Sequence, residues 1–197
     1  MKIITLFFGF IMLFFSFGCG QGVRLEKNVV TNVIGMHFIY VPAGKLEKGG
    51  FSLTLGPFYV GETEVTQGQW MSVMEMNPSE FKRGENFPVE NVSWEDVQVF
   101  ISKLNKKTGK VYRLPTEIEW EYVALGGGDK DPYGILDDIA FFRDNSGMTT
   151  HPVGQKKPNA YGIYDIIGNV NEWCQDRLEM NGSLQSSDSR LEALAER

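Results

Sequence analysis

The sequence predicts an α+β domain in which much of the chain has no regular secondary structure. Three amphipathic segments each begin with Thr or Ser, followed three residues later by Gln, Asp or Glu, which is the capping-box pattern of a helix N-terminus. Short aromatic-rich runs bounded by Gly and Pro predict strands. A long segment rich in Gly, Asp and Pro, residues 126–159, predicts loops.

The strands are expected in the first third of the chain. Residues 36–41 form an apolar run that ends at the turn sequence Pro42-Ala43-Gly44. Residues 51–55 and 58–60 flank Gly56 and Pro57 and are rich in aromatic and branched side chains. We therefore predict three short strands here.

The helices are predicted from their first residues. Thr66, Ser93 and Thr116 are the expected N-caps. Behind Ser93, the residues at helical spacing Val97, Phe100, Ile101 and Leu104 form one apolar face. Gly109 is expected to end that helix, and Gly126 the helix after Thr116.

Composition limits the class of protein. The 197 residues are 42% hydrophobic and 22% charged, which is typical of one globular domain. The net charge is −6. This argues against nucleic-acid binding, because such proteins need a basic face.

The N-terminus indicates export. Lys2 precedes the apolar residues 3–17, and Gly18-Cys19-Gly20 follows them. The run is short for a membrane span and typical of a signal peptide. The segment resembles a bacterial lipoprotein signal, in which Cys19 becomes the acylated first residue. The alternative is an ordinary signal peptide cleaved nearby. We assign residues 1–19 to the signal and residues 20–34 to a polar tether outside the fold.

A series of short motifs carries a family resemblance. They are Gly35-Met36, Val41-Pro42-Ala43-Gly44, Glu64-Val65-Thr66, Gln69-Trp70, Asn77-Pro78-Ser79, Pro88-Val89-Glu90-Asn91-Val92-Ser93-Trp94, Tyr112-Arg113-Leu114-Pro115-Thr116-Glu117, Glu119-Trp120-Glu121-Tyr122, His151-Pro152-Val153-Gly154, Pro158-Asn159-Ala160-Tyr161-Gly162-Ile163-Tyr164-Asp165, Gly168-Asn169-Val170 and Glu172-Trp173. In this order they resemble the formylglycine-generating enzyme (sulfatase-modifying factor) family over residues 35–176.

The resemblance implies a variant C-type-lectin-like fold with low regular secondary structure and structural calcium ions. It also implies, for the enzymes, an oxygen-dependent reaction in which copper held by a cysteine pair converts a sulfatase cysteine to formylglycine. Relatives without that pair act as binding or assembly components at the cell surface.

The chain departs from the family after Asp176. The family continues with an Arg-Gly-Gly-Ser-Trp strand and the copper-binding cysteine pair, whereas residues 177–197 contain neither. Thiolates are the ligands that Cu(I) prefers, so copper is not expected. We therefore expect residues 177–197 to form a divergent, mobile tail. The domain is then expected to be incomplete at its C-terminus, with part of its sheet missing. The expected cause of this truncation is an interrupted gene.

Calcium is expected at one loop. In the family, the positions that match Asp165, Gly168, Val170 and Glu172 hold the ion. Carboxylates and backbone carbonyls are suitable calcium ligands. The alternative is that Asp165 caps a turn and Glu172 is a solvated or paired surface acid.

Other polar residues are interpreted structurally. Cys174 has no partner base in the sequence and is interpreted as a small buried hydrophobe. Arg113 is interpreted as a structural cation bonded to neighbouring carboxylates rather than as half of a catalytic pair. The glycines at 126–128 are interpreted as a turn, since no Lys-Ser/Thr follows them.

These observations predict an exported, lipid-anchored, non-catalytic member of the family that acts as a binding or assembly component at the bacterial envelope. It would be membrane-anchored, facing the periplasm or the cell surface, with an envelope protein or glycan as partner and no nucleic acid. One alternative is a formylglycine-generating oxidoreductase whose catalytic part is lost or encoded separately. Another is a lectin-like carbohydrate-binding module, which rests on the fold alone.

Overall fold

The structure is a computed structural model that describes residues 7–9, 12–13, 29–48, 51–126 and 135–176. The predicted lipidation site, Cys19, and the predicted tail, residues 177–197, lie outside the described residues.

Nine strands and four helices are present among these residues. In chain order they are β1 (Phe7–Gly9), β2 (Met12–Leu13), β3 (Val29–Thr31), β4 (His37–Val41), β5 (Gly44–Lys48), β6 (Phe51–Leu55), β7 (Phe58–Gly61), α1 (Gln67–Met74), α2 (Trp94–Thr108), β8 (Tyr112–Arg113), α3 (Glu117–Ala124), α4 (Leu136–Ile139) and β9 (Asn171–Trp173).

The strands form one larger sheet and two strand pairs. The larger sheet has five strands in the order β3-β4-β7-β2-β8, and all its pairings are antiparallel. β5 and β6 form an antiparallel hairpin, and β1 lies parallel to β9. The mixture of short strands, short helices and long loops confirms the predicted α+β class.

Three strands lie in the segments that the sequence analysis assigns to the signal and the tether. Residues 7–9 and 12–13, within the predicted signal, form β1 and β2. The edge strand β3 lies within the predicted tether, residues 20–34.

The strands after residue 35 follow the sequence prediction closely. β6 has the predicted bounds, and β4 and β7 each differ by one residue at one end. β5 was not predicted from the sequence. The predicted loop after residue 126 contains the four-residue helix α4.

All three predicted capping boxes are present. The side chains of Thr66, Ser93 and Thr116 each accept a hydrogen bond from the backbone N–H three residues later, and the reciprocal bond forms in each case. α2 ends at Gly109, whose φ is 66°, as predicted. α3 ends at Leu125, one residue before the predicted glycine.

Two apolar clusters position the rest of the domain. The first packs α1 and α2 against the larger sheet, and its centre is the stacked pair Trp70 and Phe100, with ring centroids 4.8 Å apart. The second packs α3 against the hairpin β5–β6 and the segment around Ile163 and Ile166. The second cluster therefore fixes the start of the irregular segment that leads into β9.

No helix in the described part of the chain is long and apolar enough to cross a membrane.

The core packing makes a stability prediction at Phe100, which is 1% exposed. Phe100→Ala removes the ring stacked on Trp70 and leaves a cavity, so the free energy of unfolding should fall by about 3–5 kcal/mol. Val99 is its neighbour on α2 and is 46% exposed, so Val99→Ala should change that free energy by less than about 1 kcal/mol. Urea unfolding of both variants tests the assignment, and equal losses would contradict it.

Candidate functional site

The candidate site is the segment of residues 165–172, which we call the carboxylate loop. Its last two residues, Asn171 and Glu172, are the first two residues of β9. Three of its residues have left-handed backbone conformations: Asp165 with φ of 55°, Gly168 with φ of 85° and Asn169 with φ of 51°. Asp and Asn adopt this region more readily than most residues. Gly168 is required for a second reason, since a Cβ atom there would lie 2.2 Å from the carbonyl oxygen of Phe141.

The side chain of Asn169 anchors this loop. Its Oδ1 accepts a hydrogen bond from the backbone N–H of His151 at 2.9 Å. Its Nδ2 donates to Glu64 Oε2 at 2.9 Å and to the carbonyl of His151 at 3.2 Å. The Asn169 backbone N–H donates to the carbonyl of Phe141 at 2.8 Å. Four hydrogen bonds therefore hold the turn between Gly168 and β9.

Three carboxylates surround the loop. Glu64 is 2% exposed and Asp165 is 3% exposed, and the carboxylate of Glu172 has a fully buried oxygen. One oxygen of each group is bonded: Glu64 Oε2 by Asn169, Asp165 Oδ2 by the backbone N–H of Gly154 at 2.6 Å, and Glu172 Oε2 by the indole N–H of Trp120. The other oxygen of each carboxylate is buried and has no hydrogen-bond partner of normal geometry among the residues that the structure describes. The backbone N–H of Val170 nevertheless lies near the Glu64 carboxylate and partly offsets the rise of its pKa.

Burial of these groups disfavours their charged forms. Burial, followed by repulsion from Asp165 and Glu172, holds the pKa of Glu64 well above its usual range. Burial likewise raises the pKa of Asp165 to about 6. The pKa of Glu172 is held well above its usual range by burial, with a contribution from the charge of Asp165. The three carboxylates therefore lie close enough to act on one another electrostatically.

The donor set fits a hard cation. Three buried carboxylate oxygens without hydrogen-bond donors are acceptors of the kind that calcium prefers. The predicted set combines the carboxylates of Asp165 and Glu172 with the backbone carbonyls of Gly168 and Val170. Within the described ranges, no three His, Cys, Asp or Glu side chains converge on one metal position.

The four predicted residues all lie along the carboxylate loop. Asp165 and Val170 are buried, and Gly168 and Glu172 are partly buried. Glu172 is not a solvated acid, because one of its oxygens is fully enclosed. Its other oxygen is paired with the indole N–H of Trp120, and Asp165 accepts the backbone N–H of Gly154, so the alternative of a turn-capping Asp165 and a paired Glu172 stays open beside calcium binding.

Sequence reasoning missed Glu64. This residue lies between β7 and α1. It contacts the loop through Asn169, which is 105 residues away in the sequence. The sequence signal that could have indicated Glu64 was its position as an acidic residue directly before Val65 and the capping box at Thr66. Its partner could not be identified, because the contact depends on how two distant loops fold together.

Cys174 is partly buried, whereas the sequence analysis interpreted it as a small buried hydrophobe. It forms no disulfide among the described residues. Burial, together with the nearby carboxylate of Glu172, raises its pKa to about 12, so the thiol is protonated at neutral pH and is a poor nucleophile.

Arg113 also has the expected structural role. Its guanidinium donates two hydrogen bonds to Glu119, with Nη2 to Oε1 at 2.6 Å and Nη1 to Oε2 at 2.8 Å. Glu119 Oε2 also accepts the backbone N–H of Thr116 at 2.8 Å. The ion pair therefore joins β8 to the first turn of α3.

A cavity of about 290 Å³ lies elsewhere, between β6 and the first turn of α3. Leu53, Phe58 and Ile118 form its apolar part, and Glu119 lies at its edge. It shares no residue with the carboxylate loop.

Comparison with known proteins agrees with this architecture. The profile of the sulfatase-modifying factor enzyme 1-like domain matches residues 26–192. This match is wider at both ends than the range of 35–176 expected from the motifs.

Three relatives illustrate the similarity. The chain is 35% identical over 194 residues to the chaperone protein LppX of Paenibacillus barcinonensis, with 67% of this chain and 68% of the relative covered. It is 35% identical over 108 residues to the formylglycine-generating enzyme of Thermomonospora curvata, with 46% of this chain and 34% of the enzyme covered. The solved structure of Treponema denticola variable protein 1 superposes with a TM-score of 0.70 at 29% identity, covering 84% of this chain and 81% of that one.

The coverage differs between these relatives. The chain spans about a third of the length of the formylglycine-generating enzyme and most of the chain of the solved relative. The profile match over most of the chain, the similarity to LppX and the shared fold together establish that the protein belongs to the sulfatase-modifying factor enzyme 1-like domain family.

Proposed function

We propose that the protein is an exported, lipid-anchored, non-catalytic member of its family that acts as a binding or assembly component at the bacterial envelope. The observation that carries this proposal is the similarity, over about two thirds of both chains, to a relative whose name describes it as a chaperone. Helping another polypeptide to fold or assemble requires a binding surface and no covalent chemistry.

The chemistry of the side chains supports a non-catalytic role. The two cysteines in these 197 residues are Cys19 and Cys174, and a copper site of the enzyme type requires a cysteine pair. Cys174 is held protonated by its surroundings. Arg113 is bonded to Glu119 and supports the fold.

Calcium is the proposed structural cofactor of the carboxylate loop. Asp165 and Glu172 would supply carboxylate oxygens, and Gly168 and Val170 would supply backbone carbonyls. The buried oxygens without donors support this set, because a cation would offset both their missing hydrogen bonds and their mutual repulsion. The ion would hold the loop and β9 in place rather than take part in a reaction.

The calcium proposal predicts a melting temperature that depends on chelator. An ion that binds only the folded state at a hundredfold excess over its dissociation constant adds about 2.7 kcal/mol. For a domain of this size that corresponds to about 5–10 °C. The wild-type melting temperature should therefore fall by about this amount in EDTA, and calcium should restore it.

Substitutions at residue 165 make this test specific. Asp165→Ala should remove the effect of EDTA, whereas Asp165→Asn should keep part of it, because the amide retains an oxygen ligand and tolerates positive φ. Asp144→Ala removes an exposed acid outside the loop and should behave as wild type. A wild-type melting curve that does not change with EDTA would contradict calcium binding.

Lipid anchoring predicts acylation at Cys19. A fatty-acid probe fed to expressing bacteria should label the wild-type protein and the Cys174→Ala variant, and should leave Cys19→Ala unlabelled. The labelled forms should remain with the membrane fraction, since several acyl chains hold a protein far more firmly than one. Equal labelling of wild type and Cys19→Ala would contradict the anchor.

A non-catalytic protein is expected to form no aldehyde in a sulfatase peptide. The purified protein, incubated with copper, oxygen and a peptide carrying the sulfatase recognition motif, should leave the peptide cysteine unchanged by mass spectrometry. A formylglycine-generating enzyme treated in the same way provides the positive control. Formation of formylglycine in the peptide by this chain would favour the oxidoreductase alternative.

A further inference from the structure

The cavity of about 290 Å³ between β6 and the first turn of α3 is separate from the carboxylate loop. We call it the α3 cavity. Its volume lies at the lower limit of pockets for small molecules, which measure about 300–1,000 Å³. A side chain of a bound polypeptide therefore fits this space better than a whole cofactor does.

Two side chains of the α3 cavity are exposed although they continue the apolar core. Leu53 is 42% exposed and Ile118 is 36% exposed. Leu53 is aligned with the buried Leu46 in the β5–β6 hairpin, and Ile118 lies one helical turn before the buried Tyr122. Leu46 and Tyr122 belong to the second apolar cluster. The apolar surface of that cluster therefore continues outwards into the cavity.

Both walls of the α3 cavity are held in place by the fold. On the helix side, Arg113 donates two hydrogen bonds to Glu119, at 2.6 and 2.8 Å, and the Thr116 hydroxyl accepts the backbone N–H of Glu119 at 3.2 Å. On the strand side, β6 is paired with β5 along its whole length. The cavity therefore exists before a partner binds, which lowers the entropic cost of binding.

Negative charge lies beside the apolar lining. Glu117 directly precedes Ile118 in the first turn of α3, and its backbone N–H donates to Asp176 Oδ1 at 2.8 Å. The carboxylate of Glu119 is paired with Arg113. Glu117 and Asp176 therefore add negative charge at the cavity that this ion pair does not balance.

The thiol of Cys174 senses the same charges. Burial is the main cause of its raised pKa, and the charges of Glu172, Asp176, Glu117 and Glu119 raise it further. A neighbouring group with four carboxylates acting on it lies in a region of negative potential. The side of the domain at the start of α3 is therefore acidic.

The charged residues of the hairpin do not change this balance. Lys45 and Glu47 flank Leu46 along β5, and side chains alternate between the two faces of a strand. Lys45 and Glu47 therefore lie on the face opposite to Leu46 and its aligned residue Leu53. They also carry one charge of each sign.

We propose that the α3 cavity binds another polypeptide through an apolar side chain that is flanked in its own chain by Lys or Arg. The apolar side chain covers Leu53 and Ile118, and the basic side chains pair with Glu117 and Asp176. Complementary charge selects this partner over a purely apolar segment. The inference names the class of partner for the binding role in the proposed function, and it rests on that role.

The test uses the full chain and a defined probe. The probe is a fluorescein-labelled peptide of the sequence Gly-Lys-Lys-Leu-Leu-Lys-Lys-Gly, and binding is measured by fluorescence anisotropy. One control peptide has Ser in place of Leu, and another has Glu in place of Lys. Each control should bind about tenfold more weakly or worse, because it loses the burial of a Leu side chain or the attraction to the acidic rim. Equal binding of the probe and either control would overturn the proposal.

A side chain added at Gly56 should block the cavity without disturbing the fold. Gly56 lines the cavity, and a Cβ atom there would meet nothing within 4 Å beyond its chain neighbours. Gly56→Phe should therefore keep the wild-type melting temperature and weaken probe binding about tenfold or more. The control Val33→Phe adds a ring at a position that is 75% exposed and should bind as wild type. A folded Gly56→Phe protein with wild-type affinity would overturn the proposal.

The charge of the partner has its own test. Glu117→Gln keeps the shape of the side chain and removes its charge, so the dissociation constant for the probe should rise about twofold to fivefold at low salt. The difference from wild type should shrink as salt is added. Glu95→Gln removes an acid from the first turn of α2 instead and should bind as wild type. Equal affinities of Glu117→Gln and wild type at low salt would contradict a basic partner.

Crosslinking locates the probe. A probe with benzoylphenylalanine in place of one Leu should label residues 53–58 or 116–119, which line the cavity. Labelling elsewhere would overturn the cavity as the site and leave the binding role standing. Light scattering that shows a dimer of this chain, lost in Gly56→Phe, would identify a second copy as the occupant and would also overturn the proposal. Aldehyde formation in the sulfatase peptide would instead contradict the proposed function without changing the anisotropy result.

Discussion

The hydrogen bond between the amide of Asn169 and the carboxylate of Glu64, at 2.9 Å, is the contact on which the irregular half of the domain depends. Loops have no ladder of backbone hydrogen bonds, so their polar groups need partners from elsewhere. Asn169 provides them to His151 and Phe141, while its bond to Glu64 joins the carboxylate loop to the segment after β7. The loop is therefore positioned by the sheet, although most of it is not part of any strand.

This arrangement concentrates negative charge where the protein has little means of compensating it. Within the described part of the chain, Glu64, Asp165 and Glu172 each retain one buried oxygen without a donor of normal geometry, and burial raises the pKa of each. Proton uptake or a bound cation are the two physical ways to reduce this cost. A cation has the further effect of fixing the backbone carbonyls of the loop, which suits a site directly before β9.

Local features were determined by the sequence. The capping boxes at Thr66, Ser93 and Thr116, the apolar face of α2 and the bounds of β6 were all correctly predicted, because each depends on residues within a few positions of one another. The calcium set of Asp165, Gly168, Val170 and Glu172 comes from the family motif and stays a prediction. Only the tertiary structure decided that Glu64 faces this loop and that residues 12–13 lie between β7 and β8. The physical reason is that both contacts join distant segments, and burial and strand pairing select such partners without leaving a periodic pattern in the sequence.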